Sequence, residues 1–223
     1  MIYNQKTQPA PDCLSIEEAK ANGTYNCNGV LEQNKSDFRN KCYLCEDKEP
    51  HSINTEHFIP HRGDRGLKYS WNNLFYCCSH CNNTKLDKII FDNILNCTVE
   101  ADAVETSIKY HINPFPMERA VITPLIIDIR VSNTVELLLE VYNGTTPLKK
   151  IESANLRSKL LKEIRAFQTM LFDFYDDSFN EEERIEIKHK IIRQLRPTSN
   201  FTAFKKWVLR DNEVLSDEFK EYL

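Results

Sequence analysis

Between residues 42 and 85 the chain reads Cys42-Tyr-Leu-Cys45, then Glu56-His57-Phe58-Ile59-Pro60-His61, then Trp71-Asn72-Asn73-Leu74-Phe75-Tyr76-Cys77-Cys78-Ser79-His80-Cys81-Asn82-Asn83-Thr84-Lys85. Cys42/Cys45 and Cys78/Cys81 are two Cys-x-x-Cys pairs separated by 32 residues, room for a folded insert. Four thiolates in such pairs suit tetrahedral Zn²⁺ in both softness and geometry. One pair alone is a weak signal. Two pairs predict a structural zinc held by Cys42, Cys45, Cys78 and Cys81, against coincidental buried cysteines or a redox dithiol, which needs only one pair. Cys77 competes with Cys78. On an extended Leu74–Cys78 the two side chains face opposite ways, and the two-residue spacing favours Cys78, so Cys77 reads as core. His80, inside the second pair, is an alternative ligand.

Within the insert, Ile53–Phe58 predicts a strand that cannot continue its ladder past Pro60. On a strand Glu56 and His57 face opposite sides. His57 and His61 are four apart, but Pro60 argues against a helical metal pair. A histidine beside hard oxygen donors defines a possible hydrolytic site, the imidazole as base and the oxygens on Mg²⁺. A helix is expected from about Ser79. His61 reads as a loop residue and Trp71 as packing for the loop.

Outward from this segment, the 223-residue chain has 29 Lys and Arg against 33 Asp and Glu, a net charge of −4. It is no general polycation, so any nucleic-acid contact needs a local patch. Arg62, Arg65, Lys68, Lys85 and Lys88 are the candidates. No run of 18 apolar residues predicts a membrane span. Met1–Ala10 lacks an apolar leader, and the expected compartment is the reducing cytoplasm. Disulfides are therefore not expected, and Cys13, Cys27 and Cys97 read as small buried hydrophobes.

The organisation read from composition and periodicity has four segments. Residues 1–40 form a helical arm, with helices at Ser15–Ala21 and Gly29–Arg39, the latter turning Leu31 and Phe38 inward. Residues 41–95 form the metal-bearing core. Residues 96–150 form a strand-rich connection, with strands at Val121–Ile129 and Thr134–Tyr142 and a turn at Asn143-Gly144. Residues 151–223 form a helical region: Leu156, Leu160, Ile164, Phe167, Leu171 and Phe174 recur at helical spacing. Further helices are expected at Glu181–Leu195, at Phe201–Leu209 and after Ser216.

The order Cys42/Cys45, Glu56-His57, Asn73-Leu74, Cys78/Cys81, Asn82, Lys85 resembles the HNH endonuclease motif, a ββα-metal core with flanking zinc knuckles. Glu56 stands where that family most often has Asp. Asn82 stands where its third letter is most often His, giving an H-N-N variant. The resemblance implies an α+β fold comprising a zinc-knuckle ββα-metal HNH core, a small strand-rich segment and a C-terminal helical bundle. It also implies roles. His57 is the general base. Asn73 orients that imidazole through the loop backbone or otherwise braces the loop. Glu56 and Asn82 ligate a catalytic Mg²⁺ or Mn²⁺ acting on a DNA phosphodiester.

A wider resemblance rests on the early Pro9, Pro11 and Leu14, the Glu56-His57-Phe58-x-Pro60 signature, the Trp71-Asn72-Asn73-Leu74 step and the helical tail. It points to the retron-associated, Septu-type HNH nucleases of bacterial anti-phage defence, which act beside an ABC- or SMC-like ATPase. It implies a gating ATPase partner and docking through 151–223, leaving self-association open. The competing expectation is a zinc-stabilised nucleic-acid-binding or scaffolding module without catalysis.

Overall fold

In the computed structural model, which describes residues 1–223, Ile53–His57 (β1) and Leu74–Cys78 (β2) pair antiparallel, with Glu56 opposite Phe75 and His57 opposite Leu74. Both strands are rich in β-branched and aromatic residues, and every β2 side chain is buried. Between them lie a short helix, Arg65–Tyr69 (α3), capped by the Asp64 carboxylate on the Leu67 N–H, and a 3-10 turn at Trp71–Asn73. β2 runs directly into Ser79–Lys85 (α4), whose first turn is capped by the Cys78 sulfur accepting from the Cys81 N–H.

Two helices precede this unit. Asp12–Glu18 (α1) begins three residues before the Ser15 start expected from the acidic first turn, and ends earlier. Asn28–Asp37 (α2) falls where expected. Its buried face carries Val30 and Asn34, while Leu31 is exposed and Phe38 is buried just beyond the last turn.

The connecting segment corrects the strand expectation. A second antiparallel pair forms between Ile108–His111 (β3) and Val121–Pro124 (β4), so only the first part of 121–129 is a strand. Thr134–Tyr142 is helical, inside Ile129–Asn143 (α5). Its β-branched content suggested a strand, but Val131, Val135, Leu138 and Val141 are all buried at spacings of four and three. That period is helical, and the Asp128 carboxylate caps the Arg130 N–H. Gly144, at φ +70°, closes the helix, and a Cβ there would meet the Lys149–Lys150 backbone.

The tail is helical: Pro147–Tyr175 (α6), Glu181–Leu195 (α7), Thr202–Arg210 (α8) and Glu213–Glu218 (α9). α6 begins before residue 151, with Pro147 at its permissive first position and Thr146 as cap. α7 opens on a full capping box between Asn180 and Glu183.

The principal core draws on all four segments. Met1, Ile2 and Phe38 pack with the β2 aromatics, Tyr110, Leu137, Tyr142, Leu160 and Phe204. At its centre the Glu46 carboxylate, 3% exposed, meets the Lys41 ammonium and the Met1 amino group, each at 3.1 Å. A smaller core joins α6 to α7 and α8 through Phe167, Ile191 and Leu209. Another holds α1 and α2 against Tyr69, Trp71 and Leu74. No helix is long and apolar enough to cross a membrane.

Candidate functional site

The four predicted ligands converge. Cys42 and Cys45 come from the turn before β1, Cys78 from the end of β2 and Cys81 from the first turn of α4. All four are buried, with their sulfurs within 4.8 Å of one another. Cys45 and Cys78 lie 3.8 Å apart. Tetrahedral zinc with Zn–S bonds of about 2.3 Å requires about that separation. Burial pushes the Cys45 and Cys81 thiols well above their ordinary range. At Cys42 burial also raises the thiol, but hydrogen bonds from the neighbouring sulfurs outweigh it and hold Cys42 well below its ordinary range. A bound cation requires all the ligating sulfurs as thiolates. The cluster is therefore able to hold a metal ion such as zinc.

Cys77 is buried, as expected, yet its sulfur comes within 3.9 Å of Cys42. His80 is no ligand: its two ring nitrogens engage the Glu152 carboxylate and the Val141 carbonyl, each at 2.8 Å. Cys97 is fully buried, and burial raises its thiol to about 12. Cys13 and Cys27 depart from expectation. They form a disulfide across 14 residues, joining α1 to the residue before α2.

Beside the cluster, a cavity of about 390 Å³ is lined by Glu56, His57, Pro60, His61, Arg62, Asn82, Leu86 and Asp87. It unites the expected base with both expected cation ligands, from the end of β1 and the middle of α4. Glu56 is 5% exposed. Its Oε1 pairs with Lys85 Nζ at 2.7 Å and accepts from the Tyr43 hydroxyl at 3.3 Å. Its Oε2 is buried with no partner. A carboxylate oxygen in that state carries an uncompensated desolvation cost, which a cation or donor in the cavity would offset. Asn82 makes no side-chain hydrogen bond within the chain and lines the same cavity. A hard divalent cation takes this donor chemistry, one carboxylate and one amide oxygen with water completing the shell.

His57 is held on three sides. Its Nε2 lies 3.0 Å from the Lys68 carbonyl, a contact that requires the proton on Nε2 and leaves the Nδ1 lone pair available. The Tyr25 ring meets it edge-on at 4.4 Å, and the His61 ring approaches at 4.8 Å. Burial holds the imidazole below its ordinary value. The Lys68 carbonyl opposes that shift, and the charges of His61, Lys85 and Lys68 add to it. The ring is thus neutral at pH 7, the form a base requires.

Asn73 fastens the loop that supplies the carbonyl. Its Oδ1 accepts from the Ile59 N–H at 2.7 Å. Its Nδ2 donates to the Ile59 and Leu67 carbonyls at 2.8 and 3.1 Å. Leu67 directly precedes Lys68, so Asn73 sets the carbonyl that sets His57.

The candidate DNA cations fare differently. Lys85 is fully buried and bound to Glu56 and the His57 carbonyl, so it has no access to a phosphate. Arg62 pairs with Asp92, Arg65 donates to the Glu18 and Lys20 carbonyls, Lys68 reaches the Gly23 carbonyl and Lys88 pairs with Glu140. All four tie the site to its surroundings rather than standing free. Trp71 is buried, donating to the Thr7 carbonyl beneath the Lys6 ammonium, so it packs rather than stacks on a base. Tyr25 and Lys6 carried no local signal in the sequence; the core that holds α1 and α2 against Tyr69, Trp71 and Leu74 brings Tyr25 to His57, and Lys6 lies over Trp71.

No protein-family model matches this chain, and no curated protein matches it either.

Proposed function

We propose that the chain is a metal-dependent endonuclease of the HNH type that hydrolyses DNA phosphodiester bonds. The observation that carries this reading is one cavity holding a neutral His57 with a free Nδ1, an orphaned Glu56 carboxylate oxygen and an unpartnered Asn82. Zn²⁺ at Cys42, Cys45, Cys78 and Cys81 would lock β2 and α4 to the turn before β1, a structural task. Glu56 and Asn82 would hold one Mg²⁺ or Mn²⁺, which when bound supplies Lewis-acid charge at the phosphate and the leaving 3′-oxygen.

The chain's own residues do the rest. His57 Nδ1 takes a proton from the attacking water. The Lys68 carbonyl accepts from Nε2–H and stabilises the imidazolium that forms. Asn73 fixes that carbonyl against recoil. Tyr25, edge-on against the ring, excludes water from that flank.

The sequence resemblance extends the proposal to an effector of bacterial anti-phage defence in the cytoplasm. A partner ATPase would gate it, with the α6–α9 tail as the docking region. The purified chain cutting DNA at full rate, indifferent to partner and nucleotide, argues against gating.

One observation favours the competing reading, a silent zinc-stabilised module. The Lys85 ammonium already supplies a cation to Glu56. Plasmid cleavage with Mg²⁺ or Mn²⁺, comparing wild type with His57→Ala at equal zinc content, separates the two. Cleavage lost in the variant supports the nuclease. Silence of both, with the partner ATPase present, supports the module.

A further inference from the structure

The β3–β4 connection reads Ile112-Asn-Pro-Phe115-Pro-Met117-Glu-Arg119-Ala. It turns two large apolar side chains to solvent: Phe115 is 65% and Met117 92% exposed. Pro114 and Pro116 fix backbone angles on either side of Phe115, which stiffens its presentation. The loop forms one wall of a cleft of about 490 Å³. The other wall is a face of α6 carrying Arg157, Lys162 and Arg165, five and three residues apart, and Glu118 is the one carboxylate among the lining residues.

Most other charges on α6 are paired, Lys149 with Glu152, Lys159 with Asp47 and Glu163 with Lys205, while Lys150 and Asp173 are not. Lys162 and Arg165 have no carboxylate within ion-pair distance. Arg157 is anchored by an Nη1 hydrogen bond to the Tyr142 carbonyl at 2.5 Å, and its Nε is buried without a partner. Burial and then the charge of Arg119 both pull Arg157 below its ordinary value. In a chain of net charge −4, three cations without a carboxylate partner thus line one cleft with an exposed aromatic ring.

We propose that this cleft binds single-stranded nucleic acid, with Arg157, Lys162 and Arg165 on successive phosphates and Phe115 stacked on an unpaired base. Regularly spaced anions match the cations of the helix face. The flat face of a base matches an exposed, stiffly held ring, and base–aromatic stacking tolerates any sequence. A duplex hides its base faces, and an acidic peptide offers Phe115 nothing planar. None of the cleft residues lines the Glu56–His57 cavity, so binding here is independent of that cavity. Only its purpose, presenting a strand for hydrolysis, rests on the nuclease reading.

The test uses the full zinc-loaded chain without added divalent cation, so that cleavage plays no part. Fluorescein-labelled DNA and RNA oligonucleotides of about twelve nucleotides are titrated by anisotropy as salt is raised. Three phosphate contacts predict a slope of log K against log salt of about −2. Lys162→Gln with Arg165→Gln, both at exposed positions, weakens binding at least about tenfold and flattens that slope to about −0.7. Phe115→Ala weakens single-strand binding at least about fivefold and leaves duplex binding unchanged. Preference between the DNA and RNA probes identifies the sugar. Absence of binding, indifference to the double substitution, or equal competition by polyglutamate with Phe115→Ala silent overturns the proposal. Binding as described in a chain that never cleaves leaves the cleft assigned and removes the nuclease reading alone.

Discussion

Lys85 and Glu56 form a 2.7 Å ion pair with side chains only 1% and 5% exposed, and the carboxylate's second oxygen stays unpaired. A pair at this depth contributes little net stability, because desolvation of both ions offsets their attraction. Breaking it is another matter, since one buried charge is then left alone. Lys85→Met is expected to destabilise the zinc-loaded protein by about 3 kcal/mol or more. Glu56→Gln combined with Lys85→Met recovers most of that loss. Urea unfolding of the two variants checks both. If Mn²⁺ occupies the cavity, it raises the unfolding midpoint of Lys85→Met more than that of wild type, since the freed carboxylate then has both oxygens to offer.

His57 carries the pH prediction. Burial lowers the imidazole's pKa from the ordinary 6.5, and a divalent cation at Glu56 acts in the same direction. The base form therefore predominates at pH 7, and cleavage falls as pH drops through a value below the ordinary 6.5. A pH–rate profile with its acidic limb above 6.5 contradicts this assignment. His57→Ala lowers the rate at least about a hundredfold, the scale of general-base catalysis, with zinc retained.

Asn73 acts at one remove, through the Leu67–Lys68 backbone. Asn73→Ala strands one buried N–H and two carbonyls, an expected loss of about 2–3 kcal/mol. A merely structural role would leave the pH profile of the surviving activity unmoved. Release of the Lys68 carbonyl instead frees the His57 tautomer and shifts the acidic limb.

The metal cluster makes a sharper distinction between neighbours. Cys78→Ser is expected to lose zinc and, with it, cooperative unfolding, because structural zinc supplies folding free energy directly. Cys77→Ala keeps about one zinc per chain and costs about 1 kcal/mol of core packing. Zinc analysis after dialysis separates them. Loss of zinc in Cys77→Ala would falsify the assignment of Cys78 and give the 3.9 Å approach of Cys77 to Cys42 another meaning.

How far the sequence spoke depended on whether a residue's role is set locally. Ligand spacing is local chemistry, so the four cysteines, β1, β2 and the start of α4 were legible. The Asn180/Glu183 box is local too, and α7 falls on the expected Glu181–Leu195. α5 was misread because Val131, Thr134, Val135 and Val141 favour strands, while the deciding fact, burial every three or four residues, depends on what the helix packs against. Lys85 defaulted to solvent as lysines do, and only the fold supplies Glu56 as its reason to be inside.

The Cys13–Cys27 bridge goes against the sequence reading, which set disulfides aside for a reducing compartment and found no ligand spacing at these cysteines, and its consequence reaches the candidate site. It closes the loop that carries Gly23, Tyr25 and Asn26. The Gly23 carbonyl accepts from the Tyr69 hydroxyl and Lys68 Nζ, Asn26 accepts from Thr55, and Tyr25 lies against His57. Opening the bridge restores chain entropy to a loop of this length, worth up to about 3 kcal/mol in the unfolded ensemble. It also loosens the wall beside the imidazole. Cys13→Ser, or wild type with a dithiol reductant, is therefore expected to unfold at lower urea. Amide exchange should rise across Asn22–Asn26 first, while zinc content holds. If exchange there is unchanged, the hydrogen bonds to Gly23 and Asn26 hold the loop without the bridge.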